Sequence, residues 1–287
     1  MTKVILVTGC STGLGIAIAL QAAKAGHTVY ATMRNLDKRA ALDAAIAEAS
    51  VSMSVLPLDV QKTDTVNAAV EQIIAEQGRI DVLINNAGAG YIRSTEQASE
   101  EEVNWVMDVN FNGVVRCTKA VLPHMRQKRS GHVITIGSVG GLVGQPFNDI
   151  YCAAKFAVEG YTEALASYVG PAFGLHFSVV EPGGIATEFA NNVLKQVEET
   201  GGMLDDEYLP ILQQYVAGAQ SRATDGVYQT ADEVAAVVMD VMSADEPPVR
   251  VRSSEWAENF AQHKTKADPD GKAGQAMVQK YLMNVAE

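Results

Sequence analysis

Residues 3–15 read KVILVTGCSTGLG, and this stretch decides the fold. A β-branched apolar run at 3–8 ends in a glycine turn, an alanine-rich segment of helical period follows at 13–25, and TVYATM at 28–33 reads as a second strand. That is a βαβ unit. The alternation continues through VSMSVLP (51–57), a helical segment at 63–77, DVLINN (81–86), a long helical segment at 100–128, HVITIG (132–137), a helix at 151–169 and LHFSVVE (175–181). Nearly continuous apolar strands are buried on both faces, which requires a parallel sheet with helices on each side, and right-handed crossovers then give a doubly wound α/β topology. PVRVR (248–252) adds a last strand, for about seven in all. Between 182 and 226 the pattern breaks: Pro182 and two glycines open a polar, irregular region before helical period resumes at 231–242. The expectation is a single domain over 1–287, with a substrate lid at about 185–226 and a charged C-terminal extension at about 253–287.

Composition narrows the function classes. An apolar share of 47% in 287 residues is enough for one well-buried core. A net charge of −12 argues against nucleic acid or an anionic membrane surface as partner. Cys10, Cys117 and Cys152 have no metal-like spacing and cannot all pair, which fits a reducing cytoplasm, and no apolar run is long enough to span a bilayer.

The first turn, Thr8 to Gly15, is TGxxxGxG between strand and helix. Glycines there allow a sharp turn and let a pyrophosphate approach main-chain N–H groups at the helix N-terminus, so Gly9, Ser11, Thr12, Gly13, Leu14 and Gly15 form a candidate dinucleotide cradle. The setting is that of a Rossmann-type domain. At the end of the second strand an acidic residue would bond a ribose 2′-hydroxyl; this chain has Arg34, a guanidinium suited to a 2′-phosphate. NADP(H) is therefore favoured, with NAD(H) as the alternative, and a ligand-free loop arginine is the plainer reading. Thr12 can add a hydroxyl to the same phosphate.

Tyr151 and Lys155 stand at i, i+4 on a helix and project from one face. An ammonium beside a phenol favours the phenolate and would lower the Tyr151 pKa toward working pH. Ser138, at the carboxyl end of a buried strand, can hydrogen-bond a substrate carbonyl oxygen or can simply cap a turn.

Together these motifs resemble the short-chain dehydrogenase/reductases over residues 3 to about 187. The resemblance implies a catalytic set of Asn110, Ser138, Tyr151 and Lys155, with Asn110 joining a proton relay through water. It implies that Asn85, Asn86, Ala87 and Gly88 form the loop beside the adenosine ribose, that Asp59 and Val60 hold the adenine, and that Pro182, Gly183, Ile185 and Thr187 cover the nicotinamide. Residues 137–160 and VYATMRN (29–35) are similar to the 17β-hydroxysteroid and retinol dehydrogenase branch. That branch's steroid-recognising histidine has no counterpart at 205–219.

The expected reaction is hydride transfer between nicotinamide and a ketone or secondary alcohol. Substrate contacts are expected from residues 139–148, 91–94 and the lid from Ile185 to about Ala223, with Ser138, Val139, Gly140, Val143, Phe147, Asn148 and Phe189 singled out. Leu142, Leu194, Met203, Leu204 and Tyr208 make the region apolar and favour a hydrophobic ligand, though core or subunit contacts would use the same residues. Trp256, Phe260, Tyr281 and Leu282 in the extension either close over the site or pack on another subunit. Family resemblance implies a homodimer or homotetramer. A 3-oxoacyl-thioester reductase is the competing enzyme and a non-catalytic NADP(H) sensor the competing class; the basic run at 124–129 reads more simply as a solvated helix end.

Overall fold

The computed structural model describes residues 2–199 and 201–273. Seven parallel strands, β1 (Val4–Val7), β2 (Thr28–Met33), β3 (Ser54–Pro57), β4 (Val82–Asn85), β5 (Gly131–Ile136), β6 (Leu175–Glu181) and β7 (Arg250–Arg252), form one sheet in the order β3-β2-β1-β4-β5-β6-β7. Pro57, which cannot donate to a ladder, sits in the edge strand β3.

Alternation along each strand divides the core in two. Val4, Leu6, Tyr30, Leu83 and Phe177 face one side, with α3 (Thr63–Gln77), α5 (Gly113–Lys128) and α6 (Asp149–Phe173). Ile5, Val7, Val29, Ile84 and Ile134 face the other, under α1 (Gly13–Lys24), α2 (Ala40–Ala49) and α9 (Ala231–Ser243). The chain runs outward from β1 to β3 and then returns to β4 beside β1, so the helices on either side of that junction lie on opposite faces and a crevice opens at the strands' carboxyl ends.

Two expectations change. The long segment at 100–128 is α4 (Glu100–Met107), a π-helical turn (Asp108–Asn112) and then α5. The region at 182–226 is not irregular: it carries α7 (Glu188–Glu199) and α8 (Leu209–Thr224). Phe189, Val193 and Val197 recur at helical spacing, and the polar residues between them cover the face that sees solvent. Pro210 suits the first turn of α8, where its missing N–H is no loss. The C-terminal extension forms α10 (Glu255–Thr265), capped by Ser254; Tyr281, Leu282 and the Leu194 side chain lie outside what is described. None of the described helices is long and apolar enough to cross a membrane.

One buried polar contact ties α6 to β6. Glu159 and Glu181 are hydrogen-bonded to each other, and Glu181 Oε2 also meets Arg252 Nη1 at 3.3 Å. Among the described residues no N–H or O–H group reaches either Glu159 oxygen or Glu181 Oε1, an arrangement that favours a proton held between the two carboxyls. Burial raises Glu159 well above the usual carboxylate range and the Glu181 charge raises it further; burial also raises Glu181, with Glu159 and Arg252 opposing. Glu159 therefore donates and Glu181 accepts. Because the native state keeps a proton that the unfolded chain releases, stability is full below the ordinary carboxylate pKa and falls as pH rises toward the folded value, by about 1.4 kcal/mol per pH unit for one proton. Glu159→Gln keeps a donor but removes the titration. Its melting temperature is expected to fall less than the parent's between about pH 6 and about pH 9, measured by circular dichroism; parallel curves would show that no proton is held there.

Candidate active site

The crevice between β1 and β4 is a cleft of about 1100 Å³ that reaches from the end of β2 to α8. Its first wall is the glycine turn. Gly9 has φ +74°, and a Cβ there would lie 2.7 Å from Ala87 Cα; Gly13 has φ +57° and brings Thr187 to 3.2 Å from the same notional atom; at Gly15 a Cβ would stand 2.6 Å from Asn86 Nδ2. These glycines thus let protein segments close on one another as much as they admit a ligand. Asn86 Nδ2 donates to the carbonyls of Thr8 (2.8 Å) and Gly9 (3.1 Å), and Thr8 Oγ1 accepts from the N–H groups of Asn86 and Ala87, each at 3.0 Å. The turn and the loop after β4 are one rigid piece. Thr12 occupies the cap position of α1 without capping it, so the first N–H groups of the helix stay available to a ligand in the cleft.

Every residue expected to hold cofactor lines this cleft except Asn85, which is buried with its amide on Thr118 and Thr135. Ser11, Leu14 and Gly15 belong to the cradle; Asp59, Val60, Asn86, Ala87 and Gly88 line the wall beside it; Pro182, Gly183, Ile185 and Thr187 close the opposite side. Arg34 is exposed at the rim, joined there by Asn35 and by Lys38, which sequence reasoning missed. A glycine cradle, an open helix N-terminus and cations at one rim fit a phosphate-bearing dinucleotide.

Ser138, Tyr151 and Lys155 meet at the cleft floor. Ser138 Oγ accepts from Gly140 N at 3.0 Å, capping a short 3-10 turn (Val139–Gly141), and its hydroxyl is near enough to Tyr151 to lower the phenol's pKa. One helical turn on, Lys155 is buried, with Nζ donating to Ile136 O at 2.8 Å and standing 5.7 Å from the Tyr151 ring centroid. Asn110 lies in the π-helical turn, a local widening common at functional sites. Its amide donates to Val106 O (3.0 Å) and Ala89 O (2.9 Å) while accepting from Ala89 N (3.0 Å).

The electrostatics differ from the expectation that Lys155 lowers the Tyr151 pKa. Burial pushes the phenol up to about 12, with only the Ser138 hydroxyl opposing, and burial pulls the ammonium down to about 8 while Glu159 opposes. The ammonium is turned to the Ile136 carbonyl, so desolvation outweighs attraction between the pair. Near neutral pH the floor holds a neutral phenol beside a cation.

The residues expected on the substrate side divide. Val139, Asn148 and Phe189 line the cleft; Gly140, Val143 and Phe147 do not. Gly140 and Val143 belong to the turn behind Ser138, where Gly140 is buried with Cys152 and Gln145 at its α-carbon. Phe147, at φ +59°, packs its ring against Tyr208 and Tyr215 instead. Residues 91–94 also lie behind the wall: Tyr91 is buried with its hydroxyl on Glu102, and Arg93 and Ser94 are buried. Met203 and Leu204 are solvent-exposed. Asn192 and Val193 of α7 and Tyr215 and Arg222 of α8 line the cleft from within the expected lid, and Trp256 reaches it from the extension; Tyr228, just past the lid, is a lining residue that sequence reasoning missed. Trp256 lies against Gly183 and Tyr228 against Gly184, close approaches that side chains at those glycines would block. The period of 188–199 was the available signal for α7; the sequence left Trp256 between the site and a subunit contact, and tertiary packing brings it over Gly183.

Residues 3–198 match the family model described as short chain dehydrogenase. The chain is 40% identical over 258 residues to 17-beta-hydroxysteroid dehydrogenase type 1 of Homo sapiens, covering 88% of this chain and 77% of that protein. It is 40% identical over 254 residues to Retinol dehydrogenase 8 of Homo sapiens, covering 86% and 80%. Among solved structures, an F189W actinorhodin polyketide ketoreductase with NADPH superposes with a TM-score of 0.72 at 28% identity, over 84% of this chain and 90% of that one. The cleft at the strand switch, its glycine cradle and these matches together show that the chain belongs to the short chain dehydrogenase family, oxidoreductases that act on alcohol and carbonyl groups with a nicotinamide cofactor.

Proposed function

We propose that this chain is an NADP(H)-dependent reductase or dehydrogenase of a largely hydrophobic ketone or secondary alcohol, working as one Rossmann-type catalytic domain. The observation that carries the reading is the meeting of the Ser138 and Tyr151 hydroxyls with the buried Lys155 ammonium on the floor of a cleft whose far end is the glycine cradle. The nicotinamide, when bound, supplies or accepts the hydride at the carbinol carbon. Proton chemistry falls to the chain. In the reducing direction Ser138 holds the carbonyl oxygen and Tyr151, a neutral phenol, gives its proton to that oxygen as the charge develops. Lys155 then stabilises the phenolate left behind, and Asn110 orders the path by which solvent restores the proton. In oxidation the same groups run in reverse.

The preference for NADP(H) is supported by the rim: the lining contributed by the end of β2 and the following turn is Met33, Arg34, Asn35 and Lys38, two cations and no carboxylate. The ketoreductase of similar fold carries NADPH. Val139, Phe189, Val193 and Trp256 give the substrate side an apolar body, and the relatives named above act on hydroxysteroids and retinol. Cys10, Cys117 and Cys152 are buried and unpaired, in keeping with a cytoplasmic setting. Phe156 and Tyr168, exposed along α6, offer a face for a homodimer or homotetramer.

Tyr151→Phe is expected to lower kcat by roughly 10³-fold with NADPH affinity within about twofold of the parent, read by NADPH absorbance and by fluorescence titration; near-normal turnover would remove Tyr151 from the chemistry. Arg34→Asp is expected to shift the NADPH-to-NADH ratio of kcat/KM by about tenfold or more toward NADH, and an unchanged ratio would overturn the 2′-phosphate assignment. Because Lys155 is cationic only below its lowered pKa of about 8, kcat/KM for reduction is expected to decline as pH rises through that value. A profile flat to about pH 10 would show that the ammonium is not required.

A further inference from the structure

The cleft is cationic in an acidic protein. The chain's net charge is −12, yet five cationic side chains and only two carboxylates line this cavity. Arg34 and Lys38 stand at the adenosine rim, Lys155 is bonded to Ile136 O, and Lys195 faces Glu199 at 3.8 Å. The fifth, Arg222 on α8, is part-buried and forms no ion pair or side-chain hydrogen bond among the described residues. A dinucleotide's phosphates account for the first end of the cleft but not for this one.

Arg222 lies at the substrate end. Tyr215, two helical turns earlier on the same face of α8, accepts from Asn148 Nδ2 at 2.9 Å, and Asn148 immediately precedes the helix that carries Tyr151. Burial pushes the Tyr215 phenol up and the nearby Arg222 guanidinium opposes that rise, which places the cation beside it. Tyr228 lies against Gly184 and lines the same end, with no hydrogen bond to its hydroxyl among the described residues. A guanidinium with its fork open, flanked by phenol hydroxyls in a partly enclosed wall, is suited to a carboxylate.

We propose that Arg222, with Tyr215 and Tyr228 beside it, anchors a carboxylate that the substrate carries at the end remote from its reacting carbonyl. The inference rests on the oxidoreductase reading above and narrows it to amphipathic keto acids and their hydroxy acids. Val139, Phe189 and Val193 supply apolar lining for the body of such a ligand.

The test uses the full chain with saturating NADPH and a matched pair of probes, 8-oxononanoic acid and its methyl ester. The acid is expected to have a kcat/KM about tenfold or more above the ester's. Arg222→Gln is expected to remove that advantage through KM, bringing the acid's kcat/KM to the ester's with NADPH affinity unchanged, and Arg222→Lys is expected to retain part of it. Equal rates for acid and ester in the parent, an acid preference that survives in Arg222→Gln, or NADPH affinity lost in that variant would each overturn the assignment. Calorimetric titration of the acid into the NADP⁺-saturated chain reads the anchor without turnover. Arg222-dependent binding supports it even if neither ketone is reduced, which would count against the reaction alone; absent or Arg222-independent binding overturns the anchor even where reduction proceeds.

Discussion

The Asn86 side chain is the contact on which the cleft depends. β1 and β4 are neighbours in the sheet, yet the helices that follow them pass to opposite faces, so the strand ends would otherwise splay around solvent. Asn86 spans that gap by donating to two carbonyls of the glycine turn, while the Thr8 hydroxyl accepts two backbone N–H groups in return. The turn cannot relax without exposing unpaired polar groups in a partly dry place, a cost of about 1–3 kcal/mol for each group left unsatisfied. Gly15 follows from this arrangement, since a Cβ there would enter the space Asn86 occupies. The phosphate cradle is rigid because a side chain from another strand makes it so.

A second constraint acts from beneath. α6 places Lys155 and Glu159 one turn apart, the first under the cleft floor and the second in the pair with Glu181. Gly137 and Gly141 pass over Glu159 so closely that a Cβ at either would stand about 3 Å from its Oε1. Glu181 is the last residue of β6 and leads directly into Pro182 and Gly183. A shared proton therefore joins the helix of the reacting phenol to the segment on the opposite side of the cleft. If Glu159 were ionised, two carboxylates with one guanidinium would face each other in the interior, and α6 and β6 would separate.

Much of this was legible in the chain because it is local. Strand and helix periods, the glycine turn and the i, i+4 placement of Tyr151 and Lys155 depend on neighbours in sequence, and the residues those motifs single out line the cleft. What escaped depends on distance. Glu159 and Glu181 meet only because α6 packs back on β6, and the Lys155 ammonium is drawn to Ile136 O, nineteen residues before it, which reverses the pKa expectation for its pair with Tyr151. In the lid, asparagines and paired glycines hid two helices whose apolar residues are few. Phe147 was misplaced for another reason: its left-handed backbone sends the ring into the lid, a direction that no spacing argument supplies.

That misplacement changes what the lid does. The Phe147 ring packs against those of Tyr208 and Tyr215 and docks α8 against the chain that enters α6. The aromatic residues expected to clothe a hydrophobic ligand are thus largely spent on holding the lid in place. The wall they leave facing the cleft at this end is Gln145, Asn148, Tyr215, Arg222 and Tyr228, all able to hydrogen-bond. Specificity follows from that asymmetry. A site that merely buries an apolar body discriminates weakly, whereas one that presents an unpaired guanidinium rejects any ligand that leaves the charge without a partner. The floor holds the groups suited to proton transfer, and the lid adds the polar and charged groups that distinguish one ligand from another.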